Sequence, residues 1–170
     1  MSVDIKSFAP EIFRLFNERW GLVTAGTLED FNTMTISWGS LGTIWGNPAP
    51  SQGWDIVTVY VNPARYTWGY MNKNDYFTVS FYPPEFKKEL AVLGSQSGRD
   101  GDKVALTKLT PKAVEHGVTF EEAQFSFTCK KIYSHAFKKE EMAEEVAVPF
   151  YSAVEPHWMY IGRIVEAAEK

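Results

Sequence analysis

A chain of 170 residues, 45% hydrophobic and 15% aromatic, carries enough apolar material to bury one core, which excludes a disordered chain and predicts a single domain over 1–170. A net charge of −4 excludes a broad basic face for nucleic acid, while leaving room for a local basic pocket that takes one small anion. The single cysteine, Cys129, has no internal disulfide partner, MSVDIKSFAPEIF lacks a basic-then-apolar leader, and no run reaches transmembrane length, so the expectation is a cytoplasmic protein without a membrane partner.

In chain order, Ile12, Phe13, Phe16 and Trp20 recur at helical spacing after Pro10 and Glu11, predicting a helix over 10–20. WGLVTAG and TMTISWG read as strands on either side of a turn around Leu28–Phe31. The stretch Phe31–Trp45 contains no Asp, Glu, Lys or Arg, in a chain where 22% of residues are charged. It is more polar than a plain core strand and less charged than a plain surface loop, and it reads as a strand and turn. NPAPSQG at 47–53 is a loop by composition. DIVTVYV (55–61) is a β-branched strand, and NPARYTWGYMNKN turns and makes a short helix before the strand YFTVSFY (76–82).

Pro83-Pro84 opens a helix with Phe86, Leu90 and Leu93 on one face and Gly94 as its stop. GSQSGRDGDK follows as a polar loop, then a short helical piece to Leu109. VTFEEA and QFSFTCKKIY are strands. In the second, Phe125, Phe127 and Cys129 alternate with polar residues, which makes Cys129 a buried strand position in preference to a reactive thiol. KKEEMAEE at 138–145 is a solvated helix or loop, and WMYIGRIVEA is the last strand. Many short strands with a few helices at their connections predict a mainly β architecture, an antiparallel β-barrel with helical insertions. Strict strand–helix alternation is missing, which excludes a doubly wound nucleotide-binding sheet.

No G-x-G-x-x-G follows a strand, and no phosphate loop, H-E-x-x-H or paired C-x-x-C occurs. His116, His135 and His157 are scattered, so no metal site is expected. With no catalytic side-chain set visible, the hard chemistry of any enzyme built on this chain belongs to an organic cofactor. Three segments stand out: the uncharged stretch, Arg65-Tyr66-Thr67 after a strand, and SQSGRDGDK at 95–103. The last supplies hydroxyls, two glycines for close main-chain approach, and the cations Arg99 and Lys103, a mixture that suits an oxyanion. It equally fits a solvated loop in which Arg99 pairs with Asp100 or Asp102.

N-T-M-T-I-S-W-G, then R-Y-T after a strand, then S-G-R-D-x-D-K, then H-x-M-Y-I-G resemble the flavin reductase-like, FMN-binding split-barrel family, in its flavoredoxin-like branch. The similarity spans Trp20 to Leu109 and resumes at His157–Val165. The resemblance implies a six-stranded split barrel working as a homodimer, with FMN near the subunit interface. Asn32, Thr33, Met34 and Thr35 would run beside the isoalloxazine and offer main-chain groups to its polar edge, with Ser37 and Trp38 continuing the wall. Arg65, Tyr66 and Thr67 would meet the ribityl chain or phosphate; Ser95, Ser97, Arg99 and Lys103 are candidates for the phosphate, and His157 for the flavin's neighbourhood. Met34 and Trp38 fit ordinary core positions equally well. Arg163 sits where members of the family often carry an acidic residue, and 134–156 matches poorly.

The function implied is a flavoprotein oxidoreductase that takes hydride from NADPH or NADH onto flavin N5 and passes electrons to an acceptor, with no catalytic side chain. Two alternatives stand beside it: an electron carrier with tightly bound FMN and a protein redox partner, and a barrel without cofactor that serves as a binding module.

Overall fold

In the computed structural model, which describes residues 14–46 and 53–170, the framework is built from β1 (Gly21–Thr27), β2 (Asp30–Ile36), β3 (Gly39–Ile44), β4 (Trp54–Val61), β5 (Tyr76–Phe81), β6 (Pro111–Val114), β7 (Gly117–Phe120), β8 (Phe125–Ala136) and β9 (Trp158–Glu169). Three helices join them: α1 (Tyr66–Lys73), α2 (Lys87–Ser95) and α3 (Glu144–Tyr151). Seven strands form one antiparallel sheet in the order β2-β1-β5-β8-β9-β4-β3, and β6 and β7 make a separate ribbon.

That order has a geometric consequence. Its two edges, β2 and β3, are neighbours in sequence and are linked only by Ser37 and Trp38. A fully extended chain from Ile36 to Gly39 spans at most about 11 Å. The sheet must therefore curl until its edges meet, and the result is a split barrel with a seam at Ser37–Trp38.

Alternation fills the barrel. Val57, Val59 and Val61 of β4 are fully buried, as are Phe77, Val79 and Phe81 of β5, and they pack with Val23, Phe127, Cys129 and Tyr160. A second cluster lies outside the sheet, where Leu90 and Leu93 of α2 meet Leu22, Tyr82, Leu109 and Phe120. Strands β1 and β5 are thus covered on both faces. Their outward hydroxyls find partners instead of water: Thr24 Oγ1 lies 2.8 Å from Thr33 Oγ1, Ser80 Oγ 2.8 Å from Thr119 Oγ1, and Thr78 Oγ1 donates to the Val118 carbonyl at 2.5 Å. These bonds keep the polar groups satisfied beneath the β6–β7 ribbon.

Several elements differ from the sequence reading. The sheet has seven strands where six were expected, because Gly39–Ile44, read as a turn, pairs with β4 as an edge strand. Its half-exposed residues give little apolar alternation to read. Gly94 does not stop α2, which runs through Ser95. The glycine sits at a close pass of α2 over β2, where a Cβ would come within 3.2 Å of Thr35 Cβ. Only 14–20 of the expected first helix lies within the described residues; there Leu15–Arg19 forms a π-helical turn, with Leu15 and Phe16 buried. The loop residues 47–52 also lie outside the described residues. The segment 138–145 divides into a 3₁₀ turn, Lys139–Glu141, and the start of α3. Cys129 is fully buried, as expected.

Gly162 of β9 is a tight point of the barrel interior. A Cβ there would run into the Phe77 ring and come within 2.6 Å of Cys129 Cβ. Gly162→Ala is therefore expected to destabilise the fold by about 1–3 kcal/mol, the range for overpacking a filled core. A lowered urea midpoint with unchanged m-value checks it, and an unchanged midpoint refutes it.

Candidate functional site

β2 is an edge strand, so alternate main-chain N–H and C=O groups along it are not used by the sheet ladder. Two segments stand against its uncharged run. One is the entry to α1, where Arg65 is the N-cap and supplies no side-chain cap; the Trp68 N–H returns to the Arg65 carbonyl at 3.0 Å, which leaves the N–H groups of Tyr66 and Thr67 for other partners. The other is the loop that leaves α2 and returns to Lys103. Between them lies a cleft of about 120 Å³ lined by Asn32, Met34, Arg65, Tyr66, Thr67, Ser97, Gly98, Arg99 and Lys103, with Ala64, Leu93, Gly94 and Gln96 completing the wall.

The walls are tied together. Asn32, 6% exposed, donates through Nδ2 to Thr67 Oγ1 at 2.6 Å, joining β2 to α1. Gly98 permits the close pass of the loop, since a Cβ there would strike Asn32 Oδ1 and come within 3.0 Å of the Tyr66 ring. Arg99 makes no ion pair with Asp100 or Asp102. Its Nη1 donates to the Ala64 carbonyl at 3.0 Å, and the guanidinium lies 5.2 Å from the Tyr66 ring centroid. Asp102 turns away to accept the N–H groups of Val104 and Ala105 at 3.0 and 3.2 Å.

Lys103 is the buried cation, 6% exposed. Its Nζ donates to the carbonyls of Leu93 and Gln96 at 3.0 and 3.2 Å, capping the C-terminal end of α2. Three donors and two protein acceptors leave one N–H uncommitted. Burial, and then the charge of Arg65, lower its pKa to about 8.

Not every residue singled out in the sequence lines the cleft. Thr33 faces Thr24 and the Val23 carbonyl, and Thr35 donates to the Leu90 carbonyl at 2.5 Å. Ser95 is exposed and bonds back to Ala91 and Val92 of its own helix. Ser37, Trp38 and His157 belong to the seam. The Trp38 ring, 43% exposed, lies 4.8 Å from the His157 ring and 6.2 Å from Phe150. His157 Nδ1 shares a 3.0 Å hydrogen bond with the Tyr151 hydroxyl. Burial and the charge of Arg65 lower the His157 pKa, which favours the neutral imidazole. Arg65 thus reaches electrostatically to both Lys103 and His157. Tyr151 and Phe150 were not picked out from sequence, because nothing in their segment links them to the other motifs. Gly98 and Gln96 carried only the general signal of a polar, glycine-containing loop.

A model of the flavin reductase like domain matches residues 13–170. No curated protein sequence matches. Among solved structures, an FMN-binding protein from Thermus thermophilus with bound 1-cyclohex-2-enone is 22% identical, with a TM-score of 0.67 over 99% of this chain and 80% of that one. Flavoredoxin from Methanosarcina acetivorans is 18% identical, with a TM-score of 0.65 over 100% and 75% of the two chains. Nitrilotriacetate monooxygenase component B from Bacillus cereus is 16% identical, with a TM-score of 0.65 over 99% and 81%. At these identities the likeness is one of fold.

The depressed pKa of Lys103 has a signed consequence for stability. An unfolded lysine titrates near 10.5 and the folded one near 8, so between these values the unfolded chain holds the extra proton. The folded state carries the full cost of burying charge below pH 8, and its stability rises as pH increases from about 8 to about 10.5. Urea midpoints of wild type and Lys103→Met across that window are expected to show a rising component in the wild type alone. Parallel pH profiles would refute the assignment.

Proposed function

The chain belongs to the flavin reductase like family, and from that premise we propose that it binds FMN and acts as an oxidoreductase, taking hydride from NADH or NADPH and passing electrons to an acceptor. The observation that carries the reading is the convergence of three distant segments on one cleft. Asn32 and Met34 come from β2, Arg65, Tyr66 and Thr67 from the entry to α1, and Ser97, Arg99 and Lys103 from the loop after α2.

The residues fit the group. Three cations, the first-turn N–H groups of α1 and a loop brought close by Gly98 suit a phosphate. Asn32, Thr67 and Met34 suit a hydroxylated chain leading away from it. A cleft of about 120 Å³ takes the phosphate and part of that chain. The uncharged run from Asn32 to Trp38, with a main-chain edge that no strand of the sheet pairs, is the surface we assign to the ring. FMN held there would supply the two-electron chemistry that the side chains lack. The protein's part is to bind, orient and tune: donors and positive charge near the cleft favour the reduced, more anionic flavin. Trp38 and the neutral His157 beside it offer flat cover, a stacking contribution of about 1 kcal/mol per ring.

The test is the absorbance spectrum of the purified protein with FMN, before and after anaerobic NADH or NADPH. Binding with bleaching by a nicotinamide is expected, and Lys103→Ala should weaken FMN affinity by about 1.5–3 kcal/mol. FMN bound but reduced only by a low-potential protein donor would replace the reductase reading with an electron carrier. Failure to bind any flavin would overturn both.

The same reading includes a homodimer. Val146, Val148 and Phe150 of α3 are exposed beside a groove of about 420 Å³ lined in part by Trp38, Phe137 and Met142, and this is the face we assign to self-association. Sedimentation is expected to give twice the 19.3 kDa chain mass, and a monomer at micromolar concentration would count against it.

A further inference from the structure

We propose that Lys103 is a nucleophilic amine, and that the cleft takes a small aldehyde bearing an anionic group and joins it to Lys103 as an imine. The step needs only the cleft and goes beyond the flavin reading. A lysine becomes a nucleophile near neutral pH when burial or a second cation keeps it from holding its proton. Three lysines of the described residues have a lowered pKa, and their surroundings separate them. Lys131 spends all three donors on the carbonyls of Met71, Asn72 and Asn74, and Asp75 favours its charge. Lys87 lies over the Trp20 ring and donates to the Glu18 carbonyl, and the Glu18 carboxylate favours its charge. Lys103 lines both the small cleft and a hollow of about 550 Å³ beside it, and there the charge of Arg65 opposes its own.

The nitrogen is also held in a reactive pose. A neutral amine has two N–H groups and one lone pair. The two N–H groups match the Leu93 and Gln96 carbonyls at 3.0 and 3.2 Å, which leaves the lone pair for a ligand. Arg65 and Arg99 stand on the wall of the small cleft and supply an anchor for the aldehyde's anionic group. Tyr66 and Tyr70 also face this space, with Glu29 and Asp30 at the start of β2 and Asp102 on the loop of Lys103. Asp30 is engaged by Tyr70 and Lys73, and Asp102 by the N–H groups of Val104 and Ala105. In the reaction the lone pair attacks the carbonyl carbon and a C–N bond forms. One proton from the amine and one from solvent pass to the carbonyl oxygen, the C–O bond breaks, and water leaves. The remaining N–H stays on a cationic imine and keeps one carbonyl partner. Water reverses the step, and no oxidant or reductant takes part.

The full chain should be treated with 4-carboxybenzaldehyde or with benzaldehyde, trapped with borohydride, and mapped by peptide mass. At pH 8 about half of Lys103 is neutral, against roughly one in 250 of an ordinary lysine. A less basic amine gives back part of that advantage, so Lys103 is expected to take up the carboxylated aldehyde about tenfold faster than any other lysine. Its rate should climb as pH rises toward about 8 and level above it. Benzaldehyde should lose the preference, and so should Arg99→Gln with the carboxylated reagent. Lys103→Arg should remove this adduct and leave the labelling of other lysines unchanged. Labelling spread evenly over exposed lysines, a Lys103 that stays unmodified, or equal preference with both aldehydes would overturn the inference, and the wild-type map alone decides these. Added FMN is expected to slow the labelling. Labelling of Lys103 that saturating FMN leaves unslowed would overturn the phosphate placement proposed above and would still support the imine.

Discussion

Two residues, Ser37 and Trp38, connect the two outer strands of a seven-stranded sheet, and that short link governs the molecule. A flat sheet of this order would hold its edges several strand widths apart, at about 4.8 Å per strand. Curling the sheet removes the conflict, turns Val57, Phe77, Cys129 and Tyr160 toward one interior, and leaves β2 with an edge that no strand pairs. The helices and loops at the connections then gather along that edge. The cleft is a by-product of closure: α1 and the loop after α2 stand against β2 because there the barrel has a side left to cover.

Gathering positive charge in so small a volume needs support, and each cation has its own. Lys103 rests on two carbonyls at the end of α2, Arg99 on the Ala64 carbonyl and a tyrosine face, while Arg65 stays exposed. The nearby carboxylate Asp102 is occupied with backbone N–H groups on the outer side of the loop. A buried ammonium held by carbonyl dipoles without a counter-charge is costly compared with one that has an anion to meet. This imbalance belongs to a binding site more than to a scaffold.

Much of this was legible before any coordinates. The strands with β-branched, alternating residues declared themselves because burial on one face leaves a period of two, as Val57, Val59 and Val61 illustrate. Gly39–Ile44 did not, since a half-exposed edge strand has no such pattern. Gly94 was read by the usual meaning of glycine at a helix end, yet it serves packing against Thr35. For the site, the three motifs supplied the residues, and composition could not say which side of each strand they faced. Asn32 and Met34 reach the cleft whereas Thr33 and Thr35 bond elsewhere, a distinction fixed by pleat and register. Tyr151 was illegible for a different reason: its bond to His157 joins a helix to a strand start, and no spacing rule in the sequence announces it.

Arg65 gives the arrangement a property that none of its contacts has alone. Its charge disfavours protonation at Lys103 on one side and at His157 on the other. An anion settling beside Arg65 would offset that field at both places at once. Linkage makes the effect reciprocal: a proton bound at the seam strengthens the hold on the anion by the same factor. Occupancy of the cleft would then be reported at the Trp38–His157 stack as a change in proton affinity, transmitted through space and without any movement of the chain.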